Sequence, residues 1–297
     1  MSSVTPRAVF VVRETDYELL LARHATREQA RFFLETRGQR LEEIEAHHAR
    51  FGETLKQARA AVPAEWRQTL VKRADFDRFL FGPEDVVVAV GQDGLVANVA
   101  KYLHGQPVLG INPAPDLYDG VLVRVPLATL ARMLPASVHG DVPMERRTMV
   151  EAVLDSGERL LALNEIFVGH RSHQSARYRI AVGTIEEDHS SSGLIVASGT
   201  GATGWARSIM EATGTHFSLA PDERATAYFV REPFPSIATG TTLRAGKLAS
   251  ATLAIVSRMN DGGTIFADGM EQDRIAFDWG RRITIGSSDR ALHLVTA

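Results

Sequence analysis

The 297-residue chain has no cysteine, no apolar run of about eighteen residues, no internal repeat and only a slight surplus of acidic over basic residues. Without cysteine there is no disulfide, no thiolate metal site and no cysteine nucleophile, a composition compatible with the cytosol. Without a long apolar run no membrane-crossing helix is expected, and the opening residues carry no apolar signal segment, so the expectation is a soluble cytoplasmic protein without membrane contact. The formal net charge is −3, with Lys and Arg dispersed among Asp and Glu, which removes the bulk electrostatic case for nucleic acid or an anionic membrane surface. The expected ligand is small.

A hydrophobic fraction of 44% is that of a globular protein, and the length suits one large domain or two ordinary ones. Ala8 to Val12 (AVFVV) reads as a buried strand, and Thr26 followed by Gln29 as a capping box. Helices are expected near Arg27–Thr36 and Leu41–Ala61, the second closed by Pro63. Val86–Val90, Leu95–Leu103 and Val108–Ile111 form a strand–helix–strand unit. After Asp119 the texture changes. Val121–Val125 is strand-like and Leu127–Leu134 helical, and from Glu145 short β-rich runs alternate with Gly, Ser and Asp turns. Strands are expected at Thr148–Leu154, Arg159–Val168, Tyr178–Ile185, Gly193–Ser198, Thr226–Val230, Ala251–Ser257, Thr264–Ala267 and Arg282–Gly286, with one helix near Thr203–Ala212. The architecture read from this is an N-terminal Rossmann-like α/β domain over residues 1–125 and a C-terminal antiparallel β-sandwich over 126–297, whose last residues are free to pack back on the first.

Asp85–Asn98, reading DVVVAVGQDGLVAN, carries the chemistry: an apolar strand runs into a Gly-Gln-Asp-Gly turn and a helix follows. Gly91 and Gly94 let the backbone turn sharply and approach a ligand, and the amides at a helix start favour phosphate. Asp93 is a carboxylate held beside that cradle, which suggests phosphoryl transfer. A second glycine turn, Gly199-Thr200-Gly201-Ala202-Thr203-Gly204, satisfies the GxGxxG pattern, but it lies in a β-rich region with no acidic residue ending the next strand, so it reads as coincidence rather than a hydride-transfer site. His170 and His173 have no third ligand at metal-site spacing and read as a solvated hairpin, and His47-His48 as the surface of a charged helix.

Four segments in order resemble the NAD kinase family. Gly91-Gln92-Asp93-Gly94-Leu95 stands where the family has GGDGT, Gly110-Ile111-Asn112 fits its G-[IV]-N element, and Ala162-Leu163-Asn164-Glu165 is similar to its ALNE motif. Gly193 to Trp205, GLIVASGTGATGW, tracks its GLIV-A-TPTGSTAY segment, and Asp268-Gly269 fits a late turn. The resemblance implies an α/β domain followed by a β-sandwich, and transfer of a terminal phosphoryl group from ATP or polyphosphate, with Mg2+ or another divalent metal on the donor phosphates, to the adenosine ribose 2′-hydroxyl of NAD(H). Asp93 would be the base, Gly91 and Gly94 would meet the donor phosphates, and Asn164, Glu165, Thr203, Gly204, Trp205 and Ser208 would bind the dinucleotide. A homodimer or homotetramer is implied, and no metal-ligating side chains are assigned. Gln92 and Leu95 depart from the motif, the first adding a side chain near the donor phosphates and the second removing a hydroxyl that can cap the helix. The alternatives are a noncatalytic NAD(P)-binding or regulatory protein on the same fold, or a kinase of another nucleoside or lipid hydroxyl.

Overall fold

The computed structural model describes residues 5–249 and 251–296. The chain divides into a first unit that runs to Glu145 and resumes at His293, and a second unit, Arg146–Leu292. The border read from the sequence was residue 125. Residues 126–145 stay with the first unit because Leu130, Met133 and Leu134 bury themselves in the same core as Val86, Val88 and Leu109.

The first unit contains β1 (Arg7–Val12), α1 (Asp16–His24), α2 (Arg27–Glu35), α3 (Leu41–Ala60), β2 (Arg67–Lys72), β3 (Asp85–Val90), α4 (Asp93–Ala100), β4 (Pro107–Ile111) and α5 (Leu130–His139). Its strands lie in the order β2-β1-β3-β4, and each pairing is parallel. β1 and β3 are near-continuous β-branched runs because helices cover both faces of such a sheet. Their starts are fastened by Arg7, whose guanidinium donates to both carboxylate oxygens of Asp85 at 2.7 and 2.6 Å, with Asp85 only 1% exposed. The chain leaves β1 for β2 on one side and later places β3 on the other. That reversal opens a crevice at the carboxyl ends of β1 and β3. α1 was not foreseen, although Thr15 and Glu18 close a capping box at its start.

The second unit is antiparallel throughout its described pairings. Its strands are β5 (Met144–Leu154), β6 (Arg159–Ala162), β7 (Glu165–His170), β8 (Ala176–Val182), β9 (Ile185–Ser191), β10 (Leu194–Ala197), β11 (Thr226–Val230), β12 (Ala245–Leu248), β13 (Leu253–Ser257), β14 (Gly263–Ala267), β15 (Met270–Ala276) and β16 (Arg282–Val295), with α6 (Trp205–Thr213) after β10. One sheet runs β12-β11-β10-β7-β14-β15; in the other β13 lies between β8 and β16, with β9 beyond β8. Val168, Val196, Tyr178, Ile180, Ile255 and Ile283 share the core of this sandwich. Alternate residues of β10, Ile195 and Ala197, face the opposite way and receive Ala206 and Met210 of α6. The single strand expected over Arg159–Val168 is two, broken at Leu163-Asn164, and the strand expected at Tyr178–Ile185 turns at Gly183 into β9.

Candidate functional site

In the first unit the chain leaves β3 at Val90, turns through Gly91 and Gln92, and enters α4 with Asp93 as its first residue. The Asp93 carboxylate accepts backbone N–H groups from Val121 at 2.9 Å and Leu122 at 2.7 Å. Gly110 admits the segment that supplies those amides: a Cβ at 110 would overlap the Leu122 carbonyl oxygen and lie 2.8 Å from Val123 Cα. Val125 N–H then donates to the Gly110 carbonyl at 2.9 Å. The strand expected over Val121–Val125 is reduced to one bridge, Ile111 to Arg124, because these residues spend their amides on Asp93 and on the end of β4. Each Asp93 oxygen accepts one of the two bonds and keeps a second lone pair.

The two turn glycines have different causes. A Cβ at Gly91 would stand 3.0 Å from Leu95 Cδ2, so internal packing explains it, whereas a Cβ at Gly94 would meet nothing within 4 Å and faces open space. Gln92 has φ −94°, a value any residue adopts, and its side chain is exposed.

In the second unit the Leu163-Asn164-Glu165 segment is clamped from two sides. The Asp268 carboxylate accepts the amides of Leu163 at 2.8 Å, Asn164 at 2.7 Å and Glu165 at 3.3 Å. From the other side Ser198 N–H donates to the Asn164 carbonyl at 2.9 Å and Ser198 Oγ donates to that of Leu163. Asp268-Gly269 is the two-residue turn joining β14 to β15, with φ of 51° and 67°, as such hairpins require. Gly201 is pressed against the same segment, since a Cβ there would overlap the Asn164 carbonyl oxygen. The backbone is thus fixed, while the Asn164 side-chain amide makes no hydrogen bond to the described residues. Glu165 is half-buried, and burial first, then the charge of Asp268, pushes its carboxyl up to about 8.

The remaining expected residues are distributed around α6. Thr203 is exposed and its hydroxyl donates to the Thr200 carbonyl at 2.9 Å; Gly204 caps the helix and Ser208 is exposed on it. Trp205 stacks on Phe167 with centroids 5.9 Å apart, and the Arg231 guanidinium lies 5.0 Å from its ring centre, so its faces are already engaged by the protein. His170 accepts the Ser172 amide at 3.0 Å, inside its own turn. Among the described residues no three His, Asp or Glu side chains could hold a metal ion together.

Sequence reasoning missed Ser198, whose hydroxyl carries no motif of its own, and the amides of Val121 and Leu122. His47 is exposed and His48 half-buried on α3, as the surface reading expected, and both border a cavity of the first unit beside Gly91.

No protein-family profile matches the chain. A solved NAD kinase from Archaeoglobus fulgidus, in complex with ATP, matches 98% of this chain and 93% of its own with a TM-score of 0.60 at 21% identity. Yeast NADH kinase, complexed with NADH, matches 99% and 84% with a TM-score of 0.59 at 15% identity. In sequence, the NAD kinase of Heliobacterium modesticaldum is 36% identical over 132 residues, 42% of this chain and 46% of that protein. Over these residues the chain is similar to the NAD kinases. The NAD kinase of Acidovorax sp. strain JS42 is 34% identical over 132 residues, so the chain spans less than half the length of these curated NAD kinases. The NAD kinase fold, a Rossmann-like domain and a β-sandwich, accounts for both units.

Proposed function

We propose that this chain is an NAD(H) kinase-like phosphotransferase, moving the terminal phosphoryl group of ATP or polyphosphate to the adenosine ribose 2′-hydroxyl of NAD(H). The observation that carries the reading is Asp93, a carboxylate fixed by two backbone amides at the end of a buried parallel strand, next to the open face of Gly94. As the ribose oxygen attacks the terminal phosphorus, its proton passes to Asp93, the bond from that phosphorus to the leaving phosphate oxygen breaks, and the proton is later released to water. The two amides hold the carboxylate in one orientation, so positioning is supplied before substrate arrives. Asn164 and Glu165 would hydrogen-bond the dinucleotide from a loop that Asp268 and Ser198 hold rigid, and Thr203 to Ser208 would border its adenine side. A divalent metal would neutralise charge on the donor phosphates.

Purified protein with magnesium, NAD or NADH, and either donor tests this, with Asp93→Asn as control. NADP(H) formation is expected, falling by about a thousandfold or more in the variant. Asparagine keeps one acceptor oxygen for one of the two amides, so the variant folds, and its thermal midpoint checks this. Dinucleotide binding without product from either donor would overturn the reading in favour of a binding protein.

A further inference from the structure

In the second unit, the sheet that holds β8, β9 and β13 turns one face to the sandwich core and leaves the other open. β8 alternates buried Tyr178 and Ile180 with Arg177 and Arg179, and β13 alternates buried Leu253 and Ile255 with Ala254 and Val256. α6, the helix of this unit, packs on the other sheet. On the open face two arginines stand directly opposite each other. β13 pairs with β8 as far as Ser257 and Tyr178, and the next residue continues the pairing: Arg258 N–H donates to the Arg177 carbonyl at 2.9 Å. Side chains at such positions start about 5 Å apart on the same face. Across β9 the neighbour of Arg177 is Ser190. Beyond Arg258, whose guanidinium lies 5.3 Å from its ring centre, is Trp279, an indole 59% exposed.

A like-charged pair placed opposite across a sheet is destabilising, and the protein does not neutralise this one. Neither guanidinium forms an ion pair or a side-chain hydrogen bond with a described residue, and neither does Arg282, on the next row of the same face. Asp188 shares that row but is taken by Arg179, whose guanidinium donates to both its oxygens at 3.0 and 2.8 Å. Glu186 stands one row further, opposite Ala181. Arg177 and Arg258 therefore present unspent charge beside an exposed indole, the residue types that anchor protein interfaces. An open sheet face without a cleft suits a macromolecule better than a small ligand. A second copy meeting this face about a two-fold axis would set the arginine pair against itself. The net charge of −3 supplies no wider basic field for nucleic acid.

We propose that this face docks an acidic segment of another protein, with carboxylates on Arg177 and Arg258 and an apolar side chain on Trp279. The inference is independent of the phosphoryl-transfer reading. Arginine forks hold carboxylates through paired hydrogen bonds, so the site selects Asp and Glu rather than diffuse negative charge. Those carboxylates also cancel the repulsion between the two guanidiniums, which sharpens the preference for an acidic occupant.

Fluorescence anisotropy of a labelled peptide of four glutamates alternating with four leucines, titrated with the full chain at low salt, tests it against the same peptide with lysine in place of glutamate. The acidic peptide is expected to bind at least about tenfold more tightly. Arg258→Glu is the informative variant, because it turns the like pair into an opposite one. It is expected to weaken the acidic peptide about tenfold or more and to raise the thermal midpoint by about 1–3 °C. Trp279→Ala is expected to weaken the peptide about fivefold and keep the preference for acid. Equal binding of the two peptides, acidic-peptide binding indifferent to Arg258→Glu, or a thermal midpoint that falls in that variant overturns the proposal. Sedimentation velocity checks the rival occupant: a change of oligomeric state in Arg258→Glu would make the face a contact between copies and overturns the proposal as well.

Discussion

Replacing Glu165 by Gln should stabilise the chain at alkaline pH and change little at pH 5. The Glu165 carboxyl is pushed from 4.5 to about 8, chiefly by burial and then by the charge of Asp268. A carboxyl whose pKa is raised in the folded state binds its proton more tightly there than in the unfolded chain. Its contribution to stability is therefore complete below about 4.5 and is lost as pH rises through about 8. The difference of 3.5 units, 8 minus 4.5, sets a ceiling of about 5 kcal/mol at about 1.36 kcal/mol per unit. The residue is only half-buried, so water and local relaxation reduce this, and about 2 kcal/mol is expected at pH 9. Glutamine has the shape and hydrogen-bonding capacity of the protonated acid without the proton to lose. Urea unfolding of both proteins at pH 5, 7 and 9 measures the effect as the gap between their stabilities. A gap that stays constant across the three values would refute the reasoning. The same logic says that Glu165→Gln retains dinucleotide binding at pH 7, where the native side chain is mostly protonated.

Asp268→Asn tests the clamp on the same segment. Asparagine tolerates the left-handed turn, but one acceptor oxygen is replaced by a donor facing amides, so a loss of about 1.5–3 kcal/mol in unfolding free energy is expected. Removing the charge should also lower the pH at which Glu165 titrates; carboxyl carbon NMR reads this, and an unmoved midpoint would refute the electrostatic link. Gly110→Ala should cost about 1–3 kcal/mol and lower kcat in the kinase assay more than it weakens dinucleotide binding, because the overlap with Leu122 displaces the amides that hold Asp93. Unchanged kcat with an unchanged thermal midpoint would show that the 121–123 segment does not position Asp93.

The strands that sequence reading missed are β2, β9, β12 and β15, and each ends its sheet. An edge strand packs less of its surface and tolerates polar residues, as in Ile185–Ser191 (IEEDHSS) and Met270–Ala276 (MEQDRIA), so the apolar signal fades where pairing remains. β1 and β3 were legible for the opposite reason, burial on both faces. The same contrast governs the site. Gly91, Asp93 and Gly94 form a local motif and could be read directly. The amides that hold Asp93 come from residues 28 and 29 positions away, and those that Asp268 accepts lie 103 to 105 away. Backbone amides leave no residue-type signature. Only the glycine that lets them approach, Gly110, is visible in the sequence.

Gln92 and Leu95 looked like the substitutions that would spoil the glycine turn, and the geometry explains why the turn itself accommodates both. Position 92 has a backbone conformation open to any side chain and points it to solvent, so glycine is not needed there for the turn itself. Position 95 has exchanged a hydroxyl for a buried side chain that fills the space beneath residue 91, only 3.0 Å from where a Cβ would stand. Gly91 is therefore favoured by the packing of Leu95, and the two positions are coupled. What remains open is Gly94, where nothing in the protein occupies the space of the missing Cβ. A glycine at a helix start against empty space, one residue after the fixed carboxylate, has no packing reason of its own, and it leaves that backbone open to the phosphate approach proposed above.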